Sequence, residues 1–163
     1  MINLLPCHAL SVRQPWAWAI IHAGKDIENR SAAAFNWART GPVAIHAAKG
    51  MTRDEYEDAR HFMLSIGIQP PHPRDLIRGA IIGTANVTEL VSSSDSEWFF
   101  GPVGLHLVDA CPLDPIACKG ALGLFTWQAT DTEPDPARPW MQHWPHTPPR
   151  QRSIPKSETR GLL

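Results

Sequence analysis

Cysteine is sparse in this chain: Cys7, Cys111 and Cys118 are the only three among 163 residues. An odd, unpatterned set excludes the disulfide framework of a small secreted domain and points to a reducing compartment, the cytoplasm. No two of them form a C-x-x-C pair, which argues against a structural zinc site; no other motif asks for a metal or a cofactor. Long apolar runs are also lacking. No stretch approaches the ~20 residues of a membrane helix, so no membrane partner is expected. Residues 1–10 lack the basic start and apolar core of a secretory leader. A dominant charge is missing too. With a net charge of −1, the chain cannot present the broad basic surface on which non-specific DNA binding rests. Any contact with nucleic acid must then be local, in a pocket or a tail.

What is present is an ordinary globular composition. Hydrophobic residues make up 43% of the chain, enough to exclude global disorder, and the length suits one domain with one substantial core. Residues 10–12 read as a strand. Pro15 then opens a helix patterned by Trp16, Ala17, Ala19, Ile20 and Ala23, with Gly24 placed to stop it. Residues 25–30 form a short strand or extended turn, and Val43, Ile45 and Ala47 mark a buried strand. Thr52 followed by Glu55 is a capping-box signature for a helix through Tyr56, Ala59, Phe62 and Met63. Residues 80–91 are rich in β-branched side chains, and Gly83 among them marks a bulge or a close backbone approach. Strands over 103–108 and 122–130 complete the set. Strands interleaved with two helices predict an α+β fold, a small curved sheet or barrel with helices packed on it.

From Asp131 the character changes. Seven of the last 33 residues are proline, and the end is basic through Arg138, Arg150, Arg152, Lys156 and Arg160. Residues 131–163 therefore read as a separate tail, partly disordered or docked through Trp140 and Trp144. Residues 1–130 form the domain proper. Such a tail suits a protein partner.

The most informative stretch is residues 11–30, SVRQPWAWAIIHAGKDIENR. Strand alternation puts Glu28 and Arg30 on one face and Lys25 on the other, unless a turn at Gly24 to Asp26 lets all three converge. Converged, the lysine is a compact charge and the arginine a planar fork suited to phosphate or base edges. The carboxylate orients the lysine, accepts base amino protons or moves a proton. Trp16 and Trp18, two apart on a helix, cannot both face the core. Trp98, in a loop beside Phe99 and Phe100, is a candidate stacking surface for an unpaired base. Lys49 and Lys119 are candidate phosphate contacts. His46 reads as a core histidine, and Cys118 as a buried, inert thiol.

Gln14-Pro15-Trp16 followed by Lys25, Glu28 and Arg30 resembles the opening of the ASCH family, a branch of the PUA-like β-barrels. Gly24 directly precedes the lysine, whereas the family has its glycine one place earlier, where Ala23 stands. GPVAIHAAK (41–49), residues 98–104 and CKGALGLF (118–125) are similar to later family segments, so the likeness spans roughly residues 8–130. The resemblance implies a PUA-like barrel whose pocket binds RNA, another single-stranded nucleic acid or a modified nucleoside, with Gln14, Trp16, Arg30, Lys49, Trp98 and Lys119 as contacts. It also implies two hydrolytic alternatives. One is removal of the acetyl group from N4-acetylcytidine, with Lys25 and Glu28 in the site and Glu97 as the downstream acid. In that activity the family uses a threonine where this chain has Glu28. The other is metal-independent cleavage of RNA by Lys25, Glu28 and Lys49.

Overall fold

The computed structural model describes residues 4–148; the basic end from Arg150 onward lies outside them. The fold is α+β. Six strands form one mixed sheet curled into a half-barrel, in the order β2-β5-β4-β3-β1-β6. The strands are β1 (His8–Val12), β2 (Ile27–Arg30), β3 (Gly41–Ala47), β4 (Ala80–Val91), β5 (Val103–Ala117) and β6 (Leu124–Thr126). Four α-helices accompany them among the described residues: α1 (Trp16–His22), α2 (Ala34–Trp37), α3 (Arg53–Ser65) and α4 (Pro139–His143).

β1 and β3 run parallel as neighbours between β4 and the edge strand β6, with Leu10 opposite Ile45 and Ser11 opposite His46. Their alternation sorts the core. Leu10, Val12, Val43, Ile45 and Ala47 face α1 and join Ala17, Ile20 and Ile21 in the main cluster. Ala9 and Ala44, on the opposite face, pack with Ile81, Cys118 and Phe125. Ser11 and His46 share that second face by period-two alternation.

α1 ends at Ala23. Gly24 takes the left-handed conformation at φ +70, open to glycine without a side-chain clash. The turn carries the Lys25 amide back to the Ala19 carbonyl at 3.1 Å, which sets the lysine beneath the helix. α3 begins in the expected reciprocal cap: the Glu55 amide donates to Thr52 Oγ1 at 3.2 Å, and the Thr52 amide to Glu55 Oε2 at 2.8 Å.

The Gly83 expectation is met on both counts. The β4–β5 register shifts there, and a side chain would meet the Cys111 carbonyl and Ile21 at 2.5 Å. Three elements differ from the sequence reading. β5 runs on through Pro112 and Pro115 to Ala117, well beyond residue 108. β2 pairs only with its first four residues, so the second half has one free edge where the ladder loses nothing to proline. β6 is shorter than the expected 122–130. α2 is a single turn of AFNW that carries no periodic signal.

Residues 131–148 lie against the domain. Met141 of α4 is fully buried with Met51, Tyr56 and Leu76, and Trp140 and Trp144 pack around them. Arg78, itself buried, donates to the Pro136 carbonyl at 2.7 Å, while its own carbonyl accepts from the Asp135 amide at 2.9 Å.

Candidate functional site

Among the described residues, five polar or charged side chains are buried: Gln14, Lys25, Glu28, His46 and Arg78. Burying such groups is costly unless each is paired, so each is either a structural tie or part of a site. Gln14 and Arg78 are ties. The Gln14 amide donates to the Ile77 carbonyl at 2.8 Å and accepts from the Trp18 amide at 2.9 Å. With both ends engaged, Gln14 braces α1 and is not a ligand contact, contrary to the expectation from sequence.

Lys25, Glu28 and Arg30 do converge. The Glu28 carboxylate sits between the two cations, 3.1 Å from Lys25 Nζ and 3.3 Å from Arg30 Nη2. Lys25 also donates to the Ile27 carbonyl, and its Nζ stands 5.7 and 5.9 Å from the ring centres of Trp16 and Trp98. Lys25 is only 3% exposed and Glu28 8%. Arg30 donates to the Ser11 carbonyl and lies over the Trp37 ring at 5.7 Å, while its buried Nε has no acceptor. Two cations against one anion leave the trio with one excess positive charge in a low-dielectric setting. Such a site favours an incoming anion or carbonyl oxygen.

Lys25 and Glu28 form the floor of a cavity of about 200 Å³ lined by Trp16, Lys25, Glu28, Asn29 and Phe100, with Arg30 reaching Glu28 from outside it. Phe100, 57% exposed, is its outer wall. Asn29 fixes that wall: its side-chain oxygen accepts from the Phe100 amide at 2.7 Å and the Gly101 amide at 3.1 Å, and its nitrogen donates to the Trp98 carbonyl at 2.8 Å. Phe62 supports Phe100 from α3 at a ring distance of 4.9 Å.

Asn29 also borders a broader cleft of about 710 Å³ that includes Arg30, Trp37, Pro102 and Leu122. Leu122 in turn borders a third cleft, about 390 Å³, with Lys49, Lys119, His46 and Ser11. The three adjoin through these shared residues and form one groove from Phe100 to Lys119. No protein-family model matches the chain, and no curated protein matches it either. The geometry therefore stands by itself.

The candidate residues divide along this groove. Trp16, Lys25 and Glu28 share the first cavity, Arg30 lines the second, and Lys49 and Lys119 line the third. Lys49 is held 3.6 Å from Asp135. Trp98 is not the stacking surface. It is 6% exposed, packed edge-on against Trp16 and Phe62, because the loop turns inward at Trp98 and outward two residues later at Phe100. Glu97 is exposed and lines none of the three clefts, so it does not supply the downstream acid. Cys118 is buried, and burial pushes its thiol pKa up, which leaves it protonated and inert.

Phe100 and Asn29 were missed in sequence. The signal for Phe100 was present in the aromatic run Trp98-Phe99-Phe100; nothing in the sequence says which ring of such a run faces out. Among the described residues no group of three or more His, Cys, Asp or Glu is placed to hold a metal, and no helix is long and apolar enough to cross a membrane.

Proposed function

We propose that this chain binds single-stranded nucleic acid, RNA by its resemblance to the ASCH family, by taking one unpaired or modified base into the Lys25–Glu28 cavity. The observation that carries this reading is the cavity itself: a buried Lys25–Glu28 ion pair as its floor beneath an exposed aromatic wall. At about 200 Å³ it is smaller than the ~300–1,000 Å³ of pockets for drug-sized ligands, and suits one planar ring. Phe100 offers that ring a stacking face, Glu28 accepts exocyclic amino protons, and Lys25 donates to a carbonyl oxygen. The backbone then follows the groove past Arg30 toward Lys49 and Lys119. The same reading assigns the half-barrel to the PUA-like barrels.

The hydrolytic alternatives have less support. None of the five residues lining the first cavity carries a hydroxyl or thiol, so removal of an acyl group there lacks the threonine that the family uses. Lys49 lies in a different cleft from Lys25 and Glu28, so the three residues invoked for RNA cleavage do not share a site. A partner-recruiting role for Trp140 and Trp144 competes with their packing on Tyr56 and Met51.

Anisotropy titrations with a short single-stranded RNA test the proposal. Phe100→Ala, a change at an exposed position, weakens binding by about 1–3 kcal/mol, the range for one stacked base. Lys119→Ala lowers the salt slope by about one. Affinity unchanged by Phe100→Ala contradicts the assignment.

A further inference from the structure

The third cleft contains an arrangement that base binding does not use. On the adjacent parallel strands β1 and β3, Ser11 stands opposite His46, and Ser11 Oγ lies 3.0 Å from His46 Nδ1. The other ring nitrogen, Nε2, lies 3.2 Å from the Cys118 carbonyl oxygen. A carbonyl oxygen only accepts, so Nε2 carries the ring proton. Nδ1 is then a bare lone pair, and the Ser11 hydroxyl must donate to it. The tautomer is set by the backbone, and the serine proton already points at a base.

The surroundings fix this arrangement and leave it open on one side. His46 is 1% exposed, whereas Ser11 is only partly buried. A side chain at Gly120 would collide with the His46 ring, so glycine there lets the loop press on the imidazole. Phe125 holds the ring edge-on from the other side at 5.7 Å. Ser11 shares the cleft of about 390 Å³ with Lys49, Lys119, Gly120 and Ala121. Among the described residues, no backbone carbonyl or side chain accepts from the amides of Gly120 and Ala121. These amides and the two ammonium groups line the same cleft as the Ser11 hydroxyl, and such donors are what an oxyanion site is built from.

We infer that Ser11 and His46 form a nucleophile–base pair that cleaves small carboxylic esters bearing a negative charge. Ser11 Oγ bonds to the ester carbonyl carbon as its proton passes to His46 Nδ1. The bond from that carbon to the leaving oxygen breaks, and the leaving oxygen takes the proton from His46, giving alcohol and acyl-Ser11. Water then attacks the acyl carbon and gives a proton to Nδ1. The Ser11 oxygen departs and takes that proton back, which releases the carboxylic acid. Lys49 and Lys119 attract the substrate's charge, although Asp135 offsets Lys49. Esters suit the site better than amides. A carbonyl, and not a carboxylate, orients His46, so the imidazolium formed in the step is stabilised less than in a triad with a buried acid. Burial of His46, eased by the Cys118 bond and reinforced by nearby Lys49, lowers its pKa, which keeps the base free at neutral pH.

The test incubates the full chain with p-nitrophenyl succinate and, separately, p-nitrophenyl acetate. Release of p-nitrophenolate is followed, and the acylated residue is located by peptide mass mapping. The expected result is a Ser11 adduct and faster turnover of the anionic ester. Ser11→Ala lowers the rate about a hundredfold or more, the scale of a positioned general base with its nucleophile, at an unchanged thermal midpoint. Mapping on the unaltered protein gives the answer even if the variant misfolds. An adduct on a lysine, no adduct with either ester, or an unchanged rate in folded Ser11→Ala overturns the inference. No nucleic acid enters the assay, so its outcome is independent of base binding.

Discussion

At the scale of single residues, the buried polar side chains decide both stability and chemistry. His46 links them to pH. Its folded pKa lies below the usual 6.5, chiefly through burial, so below that pH the unfolded chain binds a proton the native chain refuses. Stability is therefore complete above about pH 6.5 and falls as the pH drops from there toward the lowered native value. Thermal melts between pH 7.5 and 5 should show the midpoint falling below about 6.5, with the fall reduced in His46→Gln; an equal fall in both would assign it to other groups. Tyr56 shows the opposite case. Burial pushes its pKa up to about 12, and its hydroxyl, 2.7 Å from the Pro71 carbonyl, stays a donor throughout this range. Sequence disclosed Lys25, Glu28 and Arg30 because a turn at Gly24 breaks the strand alternation that would otherwise hold the lysine on the opposite face. It could not disclose that Gln14 spends both amide ends on backbone, or that Ser11 meets His46, because such pairings depend on strand register 35 residues apart.

At the scale of elements, strong local signals held and context-made ones did not. The capping box at Thr52, the helix stop at Gly24 and the β-branched run of β4 are written in neighbouring residues. The second half of β5 is not: its prolines are tolerated only because β2 is short, a fact of sheet order. α4 is likewise made by its contacts. In isolation PWMQH is far below the ~12–15 residues an independent helix needs, yet Met141 is fully buried and Arg78 finds an acceptor, the Pro136 carbonyl, in the segment before it. The chain from Asp131 to α4 therefore belongs to the domain's energetics. Truncation after Thr130 removes the buried Met141 and one partner of a buried guanidinium, and should cost on the order of 3–5 kcal/mol. Chemical denaturation reads this directly. An unchanged midpoint would mean that the segment rests on the domain without supporting it.

At the scale of the whole molecule, the near-neutral charge and the shape of the groove act together. A chain of net charge −1 does not gather nucleic acid over its whole surface, so recognition has to be concentrated. The half-barrel does this by setting the β2 end, the Trp98–Phe100 loop and the Lys119–Leu122 loop side by side. One end of the groove holds an aromatic wall over a buried charged floor, the other a pair of lysines beside Ser11 and His46. Amide and indole chemical-shift mapping of the full chain, titrated with a short single-stranded RNA, tests this arrangement most directly. The account predicts shifts at the Trp16 indole, Asn29, Phe100, Leu122 and Lys119 that saturate together. Saturation with these signals unmoved, or with shifts gathered instead around Trp18, Ile77 and Leu113, which line a separate cleft, would contradict it.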